Sequence, residues 1–421
     1  MSIVEKNYAA AKEIYAAHGI DTDAVIKEID IIPIGVHAWQ GDDVKGFENA
    51  TAHALTGGCQ VTGNHPGVAR SADELRADLE CALKLIPGTV KVGLQGHEVD
   101  KMIPGVDRDA FTVENFSSWL DWAKEKKIGM DLAPAFYSHP KLDHGLSVSH
   151  PDPAIREFWI NHGRACRRIS EVFARELGVV SVCNQWFPDG FKDAPVDRQA
   201  FRERLRDSLD EIFAEKVDNT LVRDAVEPKL FGIGVESCTI GSHDFYMAYS
   251  TKNDLLICLD SGHFHPTEVI SDKISSIAAN GGKMLLHVSR GVRWDSDHIV
   301  LLDDNLLNIA SETVLALRRG AELHLMLDYF DGSVNRVAAW AIGSRALRKG
   351  LLIGALSAVP AVYEAEKELD FSARLLRQEA VRSLPWQAVW NYYCESKGCG
   401  DDFQIEAPLN AYEKTIIAAR G

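Results

Sequence analysis

Eight short apolar runs alternate with long charged stretches, and this alternation constrains the fold more than any other feature of the chain. The runs are Ile31 to Trp39, Thr89 to Gly96, Ile128 to Phe136, Val179 to Phe187, Leu221 to Lys229, Leu255 to Asp260, Met284 to Ser289 and Leu323 to Asp328. They lack strict apolar–polar alternation, which is typical of parallel strands covered on both faces. The stretches between them are amphipathic with helical spacing, as in Ala154 to Leu177 and Arg198 to Val217. The pattern predicts an α/β fold, a (β/α)8 TIM barrel.

The barrel region is flanked by helical segments. We predict an N-terminal helical segment over residues 1–30, a catalytic barrel over 31–348 and a C-terminal helical extension over 349–421 that packs on a neighbouring subunit. Tail helices are expected at Gln378 to Cys394 and at Ala411 to Arg420. The alternative, an open doubly wound sheet, has no support from a glycine-rich phosphate motif after the first strand.

Composition narrows the range of partners. The formal net charge is −16, from 45 basic and 61 acidic residues, so we expect no nucleic-acid partner. The least polar late stretch, Gly350 to Tyr363, is too short to span a bilayer, so we expect no membrane association. Eight cysteines form no Cys-x-x-Cys pair, which is typical of reduced thiols and favours a cytoplasmic location.

Polar residues stand at nearly every predicted strand end, where the βα loops of a barrel converge. Two short carboxylate motifs are the most informative. In Asp260-Ser-Gly-His263 a carboxylate and an imidazole can reach one cation or bridge two, although a helix cap beside a solvated histidine explains the pair equally simply. In Asp295-Ser-Asp297 alternate side chains face the same way when the loop is extended, although an Asx turn is the competing explanation.

Three further strand ends add candidates. His287 lies in an apolar strand, where a core histidine is the ordinary case, and Asp328 follows Leu-Met-Leu, where an unpaired buried carboxylate would be costly. Glu227-Pro-Lys229 places an acid and a base on one face of an extended segment, as either a surface salt bridge or a metal ligand beside a substrate-binding ammonium.

The order of these motifs on successive strands resembles the metal-dependent xylose isomerase class. Two residues differ from the xylose isomerase pattern: Asp260 stands in place of a glutamate, and His287 in place of an aspartate. Together with several long motifs they resemble the L-rhamnose isomerase family over nearly the full length. The motifs are His37-Ala-Trp-Gln-Gly-Asp-Asp43, Leu55-Thr-Gly-Gly58, Gly262-His-Phe-His-Pro-Thr-Glu268, His287-Val-Ser-Arg-Gly-Val-Arg-Trp-Asp-Ser-Asp-His298 and Ser383-Leu-Pro-Trp-Gln-Ala-Val-Trp390.

The resemblance implies an aldose–ketose isomerase that interconverts L-rhamnose and L-rhamnulose by a metal-assisted 1,2-hydride shift, and a homotetramer. It implies two divalent sites, usually Mn²⁺, with Zn²⁺, Co²⁺ or Mg²⁺ as alternatives. One site would use Glu227, Asp260, His287 and Asp328, and the other His263, Asp295 and Asp297, with Asp260 bridging.

The resemblance also implies roles for residues at the pocket. Lys229, Asp295, Asp297 and His97 would act in catalysis, while Trp186, Lys229, His97 and Asp328 would contact the sugar. His97 is the candidate for opening the sugar ring, although Glu98 differs from the acid that follows this histidine in xylose isomerases. Trp186 could equally be simple barrel packing.

Two other classes compete for the same residues. A metal-dependent hydrolase or DNA-repair nuclease on this fold would also use clustered His, Asp and Glu, but a nuclease needs a basic face that this acidic chain does not offer. A non-catalytic sugar-binding protein would have no need for seven potential metal ligands.

Overall fold

The computed structural model describes residues 1–48, 60–229, 237–292 and 295–420. The Leu55-Thr-Gly-Gly58 motif and Trp294 lie outside the described residues. The eight predicted strands are confirmed, each to within a few residues of its predicted ends. They are β1 (Ile34–His37), β2 (Val90–Gln95), β3 (Gly129–Ala133), β4 (Ser181–Trp186), β5 (Val222–Glu227), β6 (Leu256–Asp260), β7 (Lys283–Val288) and β8 (Leu323–Leu327).

The eight strands form one parallel sheet that curls into a barrel. Their order is β3-β2-β1-β8-β7-β6-β5-β4, and all the pairings within it are parallel. A side chain bridges the two end strands, because the carboxylate of Asp131 on β3 accepts a hydrogen bond from the backbone N–H of Val182 on β4 at 2.6 Å. The predicted (β/α)8 barrel is therefore confirmed.

Helices surround the barrel and continue beyond it. They are α1 (Ile3–Ala17), α2 (Thr22–Asp30), α3 (Ala72–Leu83), α4 (Ser117–Lys126), α5 (Pro153–Leu177), α6 (Arg198–Ala214), α7 (His243–Asn253), α8 (Ile270–Ala279), α9 (Asp304–Arg318), α10 (Arg336–Leu356), α11 (Pro360–Lys367), α12 (Phe371–Arg382), α13 (Trp386–Ser396) and α14 (Glu406–Thr415). Local signals set their ends. Helix α5, for example, begins after the N-cap Asp152 with Pro153 in its first turn, and ends at Gly178 with φ +67°.

The tail differs from its prediction in two respects. The helix expected over Ala411 to Arg420 begins earlier and ends at Thr415, and a 3-10 turn follows over Ile417–Arg420. The single helix expected over Gln378 to Cys394 is two helices, because the chain leaves α12 at Ser383 and re-enters α13 after Pro385. Proline has no N–H to donate and disfavours helical geometry in the residue before it, which breaks the helix here. Helix α10 runs through the predicted boundary at 348/349, and the three-part division of the chain stays a prediction.

The two ends of the chain pack together on the outside of the barrel. Tyr8 of α1 stacks on Tyr392 of α13 with ring centroids 3.8 Å apart. Asp30 at the end of α2 accepts hydrogen bonds from Tyr393 at 2.8 Å and Lys397 at 2.7 Å. In the part of the chain that the structure describes, no single helix is long and apolar enough to span a membrane; α10 and α11 pass that test only when taken together across a 61° bend.

A layer of packed apolar side chains fills the barrel interior below the carboxyl ends of the strands. Leu256, Cys258, Leu285 and Met326 are buried there among other apolar side chains. A glycine on β2 makes room for this layer across the barrel interior, because a Cβ added at Gly93 would lie 2.6 Å from the Met326 methyl carbon. Polar side chains above this layer are therefore held on a rigid base.

Candidate metal centre and active site

A pocket opens at the carboxyl ends of the strands, as expected for a (β/α)8 barrel. Most of the predicted site residues line it. They are Trp186, Glu227, Lys229, His263, His287, Asp295, Asp297 and Asp328. Asp260 lies directly behind this wall, whereas His97 is not part of it.

Four of the predicted ligands meet at one point. One atom each from Glu227, Asp260, His287 and Asp328 lies within 4.8 Å of the other three. His287 Nδ1 is at the centre of this group, 2.9 Å from Asp328 Oδ2, 3.3 Å from Glu227 Oε2 and 3.9 Å from Asp260 Oδ2. The side chains come from four consecutive strands of the barrel, β5 to β8.

Hydrogen bonds from outside the group fix how its carboxylates point. Asp260 Oδ1 accepts from the Gly262 N–H at 2.6 Å, and Asp328 Oδ1 accepts from Trp39 Nε1 at 2.9 Å. In both residues this leaves Oδ2 directed at His287. Asn184 donates through Nδ2 to Glu227 Oε2. Such outer partners orient metal ligands and hold them ionised.

The pKa shifts of these residues indicate that the group would be stabilised by a bound cation. Burial, together with the negative charges of Asp328 and Glu227, raises the pKa of Asp260 to about 8. Burial alone would lower the pKa of His287, yet the surrounding thiol and carboxyl groups raise it well above its usual value. Three carboxyl groups, of which Glu227 and Asp260 are buried and Asp328 is partly exposed, surround one imidazole and are short of positive charge. Oxygen and imidazole donors suit a divalent transition metal. The residues present therefore fit a metal ion.

A second set of predicted ligands lies beside the first. His263 Nδ1 donates a hydrogen bond to the Pro228 carbonyl oxygen at 2.9 Å, and its Nε2 lies 3.3 Å from Asp295 Oδ2. Lys229 Nζ is 2.7 Å from the same carboxylate oxygen. Although burial opposes it, these two cations hold the pKa of Asp295 well below its usual range.

Asp297, the third residue predicted for the second set, lines the pocket from a strained position. Its backbone has φ +48°, in the left-handed region that favours glycine, which turns the loop after Asp295. Burial and the charges of Asp295 and Asp328 raise its pKa well above the usual value. A carboxyl group held in this way is stabilised by a nearby cation.

Aromatic side chains form the opposite wall of the pocket. Lys229 Nζ lies 5.2 Å from the centroid of the half-buried Trp186 ring, which in turn meets the Tyr137 ring edge-on at 5.7 Å. Tyr137 donates its hydroxyl hydrogen to Gln95 Oε1, and both residues line the pocket. Sequence reasoning did not select Gln95, Tyr137 or Asn184.

His97 is the one predicted site residue that the structure does not bring to the pocket or its metal ligands. It is 1% exposed, and its ring lies 5.5 Å from that of Tyr137. Neither ring nitrogen has a hydrogen-bond partner among the described residues. Its contact with a sugar stays a prediction.

The fold and the site together define a class, the metal-dependent (β/α)8 barrel enzymes. Residues 2–420 match the model of one family in particular, L-rhamnose isomerase (RhaA). The chain belongs to the L-rhamnose isomerase family, which confirms the resemblance of its motifs, and it is an aldose–ketose isomerase with activity on L-rhamnose.

Several curated relatives have the same name and similar length. The L-rhamnose isomerase of Enterobacter sp. (strain 638) is 49% identical over 420 residues, 99% of each chain. That of Salmonella paratyphi A is 49% identical over 417 residues, again 99% of each chain. Among solved structures, an L-ribulose 3-epimerase aligns at 12% identity with a TM-score of 0.47, over 80% of this chain and 97% of that one.

Proposed function

We propose that the pocket interconverts L-rhamnose and L-rhamnulose by a 1,2-hydride shift on the open-chain sugar, with Mn²⁺ as the natural ion and Zn²⁺, Co²⁺ or Mg²⁺ as possible substitutes. One observation carries the proposal: His287 Nδ1 faces three carboxylates within 4 Å in a buried site. A bound divalent cation supplies Lewis-acid stabilisation of negative charge on the sugar oxygens O1 and O2.

The residues divide into two ligand sets. Glu227, Asp260, His287 and Asp328 hold one ion, and His263, Asp295 and Asp297 hold the second. His263 is prepared for this role, because its bond to the Pro228 carbonyl commits Nδ1 and leaves Nε2 for a ligand. Asp260 would belong to both sets.

Lys229 and Asp295 act on the reacting end of the sugar. The ammonium of Lys229, 2.7 Å from Asp295, is held in place to donate a charge-assisted hydrogen bond to O1. Asp295, which Lys229 and His263 keep ionised, and the neighbouring Asp297 are the carboxyl groups placed to assist the proton that must move between O1 and O2.

The remaining residues position the sugar and exclude water. Trp186 covers the cation side of the pocket and screens the C1–C2 bond from solvent, while Asp328 contacts a sugar hydroxyl through its partly exposed edge. His97 is the proposed ring-opening group, since neither of its ring nitrogens is committed to the described part of the protein.

The assembly and location are also proposals. Helix α12 buries none of its residues and exposes Phe371 (54%), Leu375 (56%) and Leu376 (73%), an apolar face suited to contact with another subunit of a homotetramer. The cysteines of the described residues are free thiols, in keeping with a reducing cytoplasm.

Isomerisation in D₂O tests the chemistry. Protein stripped with EDTA and reloaded with Mn²⁺ should convert L-rhamnose to the ketose without incorporating solvent deuterium at C1 or C2, because a hydride shift keeps the hydrogen on carbon. Substantial deuterium at C1 would refute the hydride shift and favour proton abstraction.

Paired histidine variants test the assignment of the site. His263→Ala and Asp295→Ala should abolish turnover while the fold is retained. His265→Ala is the matched control, because His265 is exposed and two residues from His263, and its ring is hydrogen-bonded, among the described residues, only to the hydroxyl and the backbone N–H of Thr267. Near-normal turnover in His263→Ala would refute the second ligand set.

A further inference from the structure

A thiol lies just below the carboxylates of the proposed centre. Cys258 is fully buried on β6, two residues before Asp260, so both side chains point into the barrel. Strand pairing places Val226 beside Ile257 and Asp260 beside His287, which brings Glu227 next to Cys258. The thiol is therefore one layer deeper than the carboxylates and adjacent to the same glutamate and histidine.

These three residues make a compact donor set of their own. One carboxylate oxygen of Glu227, the Sγ of Cys258 and one ring nitrogen of His287 all lie within 4.8 Å of one another. Zinc binds sulfur at about 2.3 Å and imidazole nitrogen at about 2.0–2.1 Å, so a single ion can reach donors at such separations after small side-chain movements.

A second observation points to a ligand in this region. His287 is 3% exposed, and its Nε2 atom has no hydrogen-bond partner among the described residues. Its Nδ1 atom faces the carboxylates of Asp328, Glu227 and Asp260. A buried imidazole nitrogen without a partner is costly, and coordination to a metal is one of the few ways to satisfy it.

We propose that Glu227, Cys258 and His287 form an additional, sulfur-containing metal position, separate from the two ligand sets described above. This position binds thiophilic divalent cations such as Zn²⁺, Cd²⁺ and Co²⁺. The inference rests on the proposed metal centre. Asp260 and Asp328 complete an oxygen-rich position suited to Mn²⁺, whereas the thiolate selects softer ions. On binding, the sulfur–metal bond replaces the S–H bond, and the thiol proton passes to the buffer.

The two positions share Glu227 and His287, so an ion in one position competes with an ion in the other for the same donors. A thiophilic cation in the deeper position withdraws both residues from the oxygen-rich set. Zn²⁺ and Cd²⁺ should therefore compete with Mn²⁺ for the protein, and the competition should depend on Cys258. If Cys258 only fills space beside Leu256 and Leu285, no such dependence will be found.

Absorption spectroscopy of metal-free protein titrated with Co²⁺ or Cd²⁺ tests the proposal. We expect a thiolate-to-metal charge-transfer band in the ultraviolet that saturates with metal and disappears in Cys258→Ser and in Cys258→Ala. The matched control is Cys183→Ser, which changes an equally buried strand cysteine whose sulfur accepts a hydrogen bond from Gln185 at 3.4 Å. This control should keep the band.

Calorimetric titrations give the magnitude and separate the two ways of failing. Zn²⁺ affinity should fall by at least about 10- to 100-fold in Cys258→Ala, the loss typical of removing even an outer partner of a metal. Mn²⁺ affinity should change less. If Mn²⁺ does not bind the wild-type protein, the proposed centre is wrong. If Mn²⁺ binds but Co²⁺ gives no thiolate band, or the band survives Cys258→Ser, the role of Cys258 is refuted.

Discussion

Replacing Asn184 by leucine should weaken Mn²⁺ binding without removing any proposed ligand. Asn184 is 5% exposed on β4 and donates through Nδ2 to Glu227 Oε2, itself on a side chain that is 2% exposed. The orientation of the amide is determined by chemistry, since an ionised carboxylate can only accept. Leucine has a similar shape but leaves the Glu227 oxygen without this donor.

The size of the effect follows from the type of bond. A hydrogen bond to a charged group contributes about 1.5–3 kcal/mol, and each tenfold change in affinity corresponds to about 1.4 kcal/mol. If most of that loss falls on the ionised, metal-binding form of Glu227, Mn²⁺ binding weakens by about 10- to 100-fold.

Isothermal titration of metal-free protein with Mn²⁺ measures this loss directly. Gln185→Leu is the matched control, because Gln185 is also fully buried on β4 but points to the opposite side of the strand, where its amide donates to Cys183. This control should keep the wild-type affinity. A Mn²⁺ affinity in Asn184→Leu within twofold of wild type would refute the argument that Asn184 positions Glu227.

Three further outcomes are expected. Lys229→Met should lower kcat/KM for L-rhamnose by about 100- to 1,000-fold. Its Mn²⁺ affinity should stay the same or increase, because the Lys229 ammonium no longer competes with the metal for Asp295. A drop in Mn²⁺ affinity would contradict the role assigned to Lys229. Burial and the charge of Arg108 lower the pKa of His162 from 6.5 to about 3, so the unfolded chain takes up a proton below pH 6.5 that the folded one refuses. Stability should therefore fall between pH 6.5 and 3, by up to about 1.4 kcal/mol per pH unit from this group, and urea midpoints at pH 7.5 and 5 should differ less in His162→Gln than in wild type. Arg345→Met should lower the melting temperature by about 3 °C. The Arg345 guanidinium is 2% exposed and donates hydrogen bonds to the Leu85 carbonyl and to the half-exposed Asp402, and its loss should reduce the free energy of unfolding by about 3 kcal/mol. An unchanged melting temperature would argue against this estimate.

The barrel could be predicted because each strand is buried on both faces and therefore reads as an apolar run. Leu255 to Asp260 and Met284 to Ser289 match β6 and β7 almost residue for residue. The break in the tail was missed because apolar residues keep helical spacing on both sides of it. Pro385 was the available signal, as proline opposes helix in the residue before it.

The predicted site residues come together in the structure where a side chain leaves a strand at its carboxyl end. Glu227, Asp260 and His287 occupy such positions, and the structure brings them together with Asp328. Asn184 was missed because it lies two residues before the end of β4, although its alternation with Trp186 places both on the inner face. The depth of an inward-facing residue below the pocket depends on how neighbouring strands are staggered. The spacing of apolar residues along one strand does not reveal that stagger.

His97 shows the opposite limit. It follows β2 and is therefore at the expected end of the barrel, yet it lies away from the pocket wall, packed under the turn at Gly46. Whether a residue after a strand faces the pocket depends on the path of the loops around it. Those paths are set by long-range contacts that a single sequence does not encode locally.

The stacking of Tyr8 on Tyr392 has a consequence for how the protein is made. The first helix is synthesised hundreds of residues before the helix that covers it, and contacts of such separation form slowly. Until α13 leaves the ribosome, the apolar sides of α1 and α2 are not covered by the tail. Arg348 donates hydrogen bonds to the Ile32 and Thr89 carbonyls, and these bonds can stabilise the base of the barrel before the tail is made. The covering of α1 therefore depends on a segment made late in synthesis, and a ribosome that stalls before α13 would release a chain in need of chaperones.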